Sequence, residues 1–202
     1  MVARQLGSLF IFRADTESGL LSEALVEAVE ACDHCFSRTV NKYYHRDGET
    51  FFNPFHSGQY SIFLYFLSRG IAARQPEGGT LADRVYFLNK ALNGLDLFHG
   101  VRMPRVFFLD HPVGSVIGRA EIGDGFSFSQ NCTVGNNKGI FPTLGRNVSM
   151  MSGSKILGRC RIGDDVTLAA NSYVKDTDIP GGSIVFGSSP NLVIKAARPS
   201  PD

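Results

Sequence analysis

A chain of 202 residues holds one large domain or two small ones, and its 43% hydrophobic content is ordinary for a globular fold. A net charge of +1 implies no polyanionic partner, so no role with nucleic acid is expected. The longest apolar run, Ile62 to Leu67, is far too short to span a membrane, and with no basic, apolar leader at its start the chain reads as cytoplasmic.

Met1 to Arg13 carries an apolar run, Leu9 to Phe12, without a clear period. From Ser18 the spacing becomes helical: Leu21, Leu25, Ala28, Val29 and Cys32 fall three or four apart, with Asp15, Thr16 or Ser18 as candidate caps. Asp47-Gly48 marks a turn. Gln59 to Leu67 is so dense in aromatic and β-branched residues that helix and strand remain open. Thr80 and Asp83 fit a capping box, and Leu81, Val85, Leu88 and Leu92 make a stripe that stops at Gly94. Residues 1–95 therefore read as a mainly helical domain.

Beyond residue 95 glycine becomes frequent, and an apolar residue returns every sixth position. Val116, Ile122, Phe128 and Val134 form one run; Leu144, Met150, Ile156, Ile162, Leu168 and Val174 a second; Ile184 and Pro190 a third. The two ten-residue jumps read as a six-residue step plus a four-residue loop at a corner. Small or β-branched residues recur four positions after the key residue at Cys132, Val148, Ser154, Cys160, Val166 and Ser172. A period of six belongs to neither a helix nor an alternating strand. It marks short strands winding in flat-sided coils whose key aliphatics stack inward, since one hexad cannot bury its apolar residue alone. The expected fold is α+β: helices over residues 1–95, then a left-handed parallel β-helix over 96–202.

Cys32 and Cys35 have the spacing of a zinc or redox pair, but no second Cys/His pair follows at ligand spacing, so both read as core. Cys132 and Cys160 fall in the small-residue slot. Of the five histidines, His111 stands apart in Leu109-Asp110-His111-Pro112-Val113-Gly114, on an early coil where a corner can expose a side chain. Asp96 lies fifteen residues earlier, about one coil away, where a carboxylate would fix the imidazole as a general base. A zinc site with three His ligands is not supported, because the repeat region offers only His99 and His111.

Leu109-Asp110-His111 with Gly114, Gln130 with Thr133 and Gly135, and Ser152-Gly153-Ser154-Lys155-Ile156-Leu157-Gly158 resemble the serine acetyltransferase family of hexapeptide-repeat acyltransferases. The resemblance covers Gln59 to Pro190. It implies an O-acetyltransferase using acetyl-CoA and no metal, with Asp96 and His111 as the catalytic dyad and Asp110 contacting the acceptor. It further implies an acetyl-CoA groove lined by Gly135, Asn136, Ser152 and Ala170, and a homotrimer, or a dimer of trimers paired through the helical domain. Where the family carries Arg-His-Pro to grip an amino-acid acceptor, this chain has Ile140-Phe141-Pro142. Loss of that cation predicts weaker recognition of an amino-acid carboxylate. Phe141 suits an alternative acceptor, a sugar or polysaccharide precursor. Many family members dock a tail ending in isoleucine into the next enzyme of cysteine synthesis. Arg198-Pro199-Ser200-Pro201-Asp202 predicts no such complex.

Overall fold

The computed structural model describes residues 1–197, so the tail on which the expected absence of a sulfhydrylase complex rests lies outside the described residues. The chain divides into two compact units, the first Met1–Gly100 and the second beginning at Val101.

The first unit contains α1 (Val2–Leu9), α2 (Ala14–Phe36), α3 (Ser57–Ala72) and α4 (Leu81–Asn93). Between α2 and α3, His45–Arg46 and Glu49–Thr50 pair antiparallel around the Asp47-Gly48 turn, both of whose residues take positive φ. α2 begins four residues before the expected Ser18, and none of the proposed side chains caps it. Glu17, inside the first turn, instead reaches back to accept the Arg13 amide at 2.8 Å. Its buried stripe is Leu21, Ala24, Ala28, Cys32 and Cys35, while Leu25 and Val29 face solvent. The expected stripe was rotated because Ala24 lets another helix approach: Gly70 of α3 packs on its backbone and Cβ.

α3 resolves the open segment as a helix. It is buried on almost every face, which erases the one-sided period that would have identified it. Ser61 and Asn89 lock it to α4, the Ser61 hydroxyl donating to the Asn89 side-chain oxygen at 2.9 Å and the Asn89 amide returning to the Ser61 carbonyl at 3.0 Å. The capping box at the start of α4 is not formed, because Asp83 turns away to His99 Nε2 at 2.9 Å. Leu81, Val85 and Leu88 are buried, Leu92 is not, and the helix ends at Gly94 in the left-handed conformation.

The second unit is a three-sided parallel β-helix of about five coils. Thr143 pairs with Arg161, Ser149 with Thr167 and Lys155 with Tyr173, so one coil takes 18 residues, six per face. Phe128, Val134, Leu144, Met150, Ile156, Ile162, Leu168 and Val174 are buried as the six-residue period predicts, and so are all six small-slot residues.

Two departures sit at the ends of the stack. At the start Val116 is 44% exposed and its neighbour Ile117, at 2%, stacks on Val134. At the finish the Val174-to-Ile184 step holds no inserted loop: Ile179 within it is buried and bridges Ile162, and Val185 rather than Ile184 stacks on Leu168. Shortening one coil by a residue shifts the inward position along the chain. Pro190 is not an inward residue either; it lies in the turn between Ser183–Ser188 and Asn191–Ala196, which pair antiparallel.

The other ten-residue step is the expected corner insertion. Asn137 and Ile140 exchange backbone hydrogen bonds, both 3.0 Å, around Lys138-Gly139, whose φ values of 51° and 79° suit a two-residue type I′ hairpin.

Candidate active site

His111 stands on an enlarged corner. Leu109 stacks on Phe128 and Ile117 on Val134, so eight residues in the first coil must turn above six in the second. The chain absorbs the difference in a tight loop: the Val113 amide donates to the His111 carbonyl at 2.8 Å and the Ser115 amide to the Pro112 carbonyl at 3.1 Å. His111 itself takes φ 51°. Pro112 is buried beneath the loop, whereas the His111 side chain is 89% exposed.

The loop is fastened from both sides. The Asp110 amide donates to the Phe128 carbonyl and the Asn131 amide to the Val113 carbonyl, each at 3.0 Å. The buried Ser115 hydroxyl donates to the Ser129 carbonyl at 2.7 Å and accepts the Cys132 amide at 2.9 Å. Gly114, at φ 76°, leaves its Cβ position to the Asn131 side-chain oxygen. An imidazole on a fixed backbone in contact with solvent can take a proton from a hydroxyl brought to it. Asp110 Oδ1 lies 3.7 Å from His111 Nε2, beyond hydrogen-bonding range.

The same corner continues through the stack. Asn131, Gly153 and Asn171 donate to the carbonyls of Val113, Gln130 and Ser152, at 3.0, 2.9 and 2.9 Å. Ser152 and Ala170 thus lie on the column that begins at the His111 loop. Gly135 and Asn136 do not. They sit at the far end of the adjoining face, where the Gly158 amide donates to the Gly135 carbonyl at 3.0 Å. The strand Thr133–Gly135 and the turn at Asn131, whose φ is 57°, separate them from that column along the coil. Phe141 is exposed on the hairpin that follows.

Asp96 lies in the first unit. Its Oδ1 accepts the Tyr86 hydroxyl and its Oδ2 the Lys90 ammonium, each at 2.6 Å. Burial opposes ionisation of the carboxyl, but these two bonds outweigh it and hold its pKa below the usual range. The same carboxylate raises the Lys90 pKa, and burial, then Asp96, raises that of Tyr86. Each carboxylate oxygen keeps capacity for a second donor. Tyr86 and Lys90 were not singled out in the sequence, where they look like exposed positions of a helical stripe.

No family model matches the chain. A serine acetyltransferase of Helicobacter pylori is 37% identical over 125 residues, covering 55% of this chain and 72% of that protein. The chain belongs to the serine acetyltransferase family. The family's Mycobacterium tuberculosis protein is 34% identical over 126 residues, and there the chain spans 54% of the relative's length.

Solved serine acetyltransferases share the fold. The Neisseria gonorrhoeae structure in complex with serine superposes with a TM-score of 0.76 at 22% identity, over 95% of this chain and 80% of that one. The Vibrio cholerae structure gives 0.76 at 23%, over 98% and 78%. Within the serine acetyltransferase family, this chain's hairpin after Gly135 presents Lys138, Ile140 and Phe141 as exposed residues. All four cysteines are buried, and among the described residues no group of three or more His, Cys, Asp and Glu side chains is placed to hold a metal. No helix among them is long and apolar enough to cross a membrane.

Proposed function

We propose that the chain transfers the acetyl group of acetyl-CoA to the hydroxyl of serine. The observation that carries this reading is its place in the serine acetyltransferase family, together with a rigid corner that holds His111 out to solvent. A structure within the family is a complex with CoA, which supports acetyl-CoA as co-substrate. Because the relatives bear the serine acetyltransferase name, the sugar acceptor weighed from the sequence is not favoured.

In this mechanism His111 Nε2 takes the proton of the hydroxyl as its oxygen attacks the thioester carbonyl. Backbone amides near Gly135 hold the oxyanion. The intermediate collapses by breaking the C–S bond, and the departing thiolate takes the proton from the imidazolium. Asp96 orients the imidazole and stabilises its positive charge. Asp110 and Phe141 contact the acceptor, while Gly135, Asn136, Ser152 and Ala170 line the acetyl-CoA groove.

The separation of Gly135 from the His111 column on its own coil supports a site shared between copies, and the homotrimer of this reading has one copy's His111 corner facing another copy's hairpin. Pairing of trimers through the helical unit and a cytoplasmic location belong to the same reading. Turnover decides it. Purified protein is given acetyl-CoA with L-serine, other hydroxy amino acids or sugars, and released thiol is followed. Thiol release dependent on L-serine is expected; release with a sugar and none with serine would overturn the assignment.

A further inference from the structure

The hairpin after Gly135 has almost nothing of its own to hold it. Lys138, Gly139, Ile140 and Phe141 are all exposed, and the two Asn137–Ile140 backbone bonds fix its shape but not its direction. Asn136 closes the tip on itself, its Oδ1 accepting the Gly139 amide at 3.2 Å. Among the described residues its side-chain tie to the body of the coil is Asn137, whose Nδ2 donates to Asp176 Oδ2 at 2.6 Å.

That bond skips a coil. The hairpin leaves the second coil, Gly158 turns the third, and Asp176 turns the fourth: Leu157 pairs with Gly135 on one side and Lys175 on the other. Two coil spacings amount to about 9.6 Å, a gap two short side chains close only if nothing projects between them. Gly158, at φ 80°, provides the opening, since a Cβ there would strike the Asp176 carboxylate and stand 2.6 Å from Asn137 Cβ.

Asp176 is itself pinned. Its amide donates to the Leu157 carbonyl at 3.1 Å, and its Oδ1 accepts the Arg159 amide at 2.9 Å. The Arg159 amide holds the carboxyl below the usual range; burial works against it, and the Asn137 side-chain bond assists. The bracket therefore presents a carboxylate to Asn137 at neutral pH.

We propose that Asp176 is the positioning residue of the hairpin, and that the Asn137–Asp176 bond across Gly158 sets where Asn136 and Phe141 meet their substrates. This rests on the acetyl-transfer reading for its kinetic consequence but not for the bracket itself. Asp176 touches no substrate; it acts through Asn137. Losing the bond leaves the coil stacked and the hairpin closed, but lets the hairpin swing. Substrate binding suffers and the chemical step at His111 does not.

The test uses the full chain with Asp176→Ala, Asp176→Asn, Asn137→Ala and the double variant Asn137→Ala/Asp176→Ala. Hydrogen exchange over residues 136–141 reads the bracket without activity. About tenfold faster exchange in Asp176→Ala is expected, as for loss of one charge-assisted hydrogen bond. Unchanged exchange would overturn the proposal, even if the Tm fell. In the kinetics, KM should rise about tenfold in either alanine variant with kcat within about threefold, as for loss of one such bond in substrate binding alone. The double variant should be no worse than Asp176→Ala, which also loses the Arg159 amide, and Asp176→Asn should recover part of the loss. Additive effects, or a fall in kcat with KM unchanged, would overturn it. Faster exchange together with no turnover in the parent chain would uphold the bracket and sink the acetyl-transfer reading instead.

Discussion

The Val113 amide donates to the His111 carbonyl at 2.8 Å, and with the Ser115–Pro112 bond it folds a two-residue excess in the first coil into a projecting loop. The imidazole rides on that loop. If it is the general base, His111→Ala should lower kcat by roughly 10²–10⁴-fold with acetyl-CoA binding nearly unchanged. Steady-state kinetics and calorimetry with acetyl-CoA make the comparison. Turnover close to that of the parent chain would remove His111 from the mechanism.

Gly114→Ala examines the loop rather than the ring. Alanine at φ 76° is strained by about 1–2 kcal/mol, and its Cβ would displace the Asn131 side chain that stacks on the corner. Stability measured in urea should fall by at least that amount. Turnover should fall as well, because the displaced corner carries His111. Loss of stability with full turnover would mean that the loop geometry is not what presents the imidazole.

Glycines on another corner explain part of the sequence signal. A Cβ on Gly123 would lie 2.7 Å from the Gly145 carbonyl carbon, one on Gly145 2.8 Å from that of Gly163, and one on Gly163 2.7 Å from the Gly181 Cα. Successive coils touch there backbone to backbone, and no rotamer change can relieve the clash. Gly145→Ala should cost about 1–3 kcal/mol, the usual range for overpacking, and more if the coils part. Thermal unfolding reads it. Gly135→Ala is the control, since its Cβ would meet only the Leu157 Cδ2, at 3.3 Å, which can turn aside.

The six-residue period was legible because its cause is local and repeated: every inward residue sits on the same kind of residue one coil away. Val116, Ile184 and Pro190 were misplaced where the repeat begins and ends, because one residue more or less in a coil shifts the register without altering the apolar pattern. α3 could not be recognised because burial on all faces leaves no stripe. His111 was visible through its local segment. The partners of Asp96 and the Asn137–Asp176 bond were not, because the groups are polar, common in type and joined only by the fold; Asn137 and Asp176 are 39 residues apart.

Buried thiols give an independent check on direct transfer. Burial raises the Cys32 pKa far above the usual thiol range, with Cys35 adding to it, and burial raises that of Cys160 as well. Native protein at pH 7.5 should react slowly with a thiol reagent, and all four cysteines should titrate in denaturant. Cys132→Ala and Cys160→Ala should leave acetyl transfer within about threefold, since the hydroxyl attacks the thioester directly. An acetylated cysteine trapped with acetyl-CoA alone would contradict this.

The pair Glu17–Arg84 sets a pH dependence for the helical unit. Arg84 grips both Glu17 oxygens, its Nη1 reaching Oε2 at 3.2 Å and its Nη2 reaching Oε1, while Nη1 also donates to the Ile11 carbonyl. Both side chains are largely buried. The Arg84 hydrogen bond lowers the Glu17 pKa from its ordinary 4.5; burial works against it, and the Arg13 amide assists. The folded state thus releases this proton more readily than the unfolded one. The stabilisation is complete above about pH 4.5 and is lost as pH falls through the lower, folded value. At pH 7, Glu17→Gln should be less stable by about 1.5–3 kcal/mol, the usual range for a hydrogen bond to a charged group. Asp96 titrates in the same direction but is present in both proteins, so it cancels in the difference. Urea unfolding of the two proteins between pH 7 and pH 3 measures the gap, which should hold from pH 7 to about pH 5 and then narrow as the parent chain takes up the proton. A gap that stays constant to pH 3 would show that Glu17 contributes shape rather than charge.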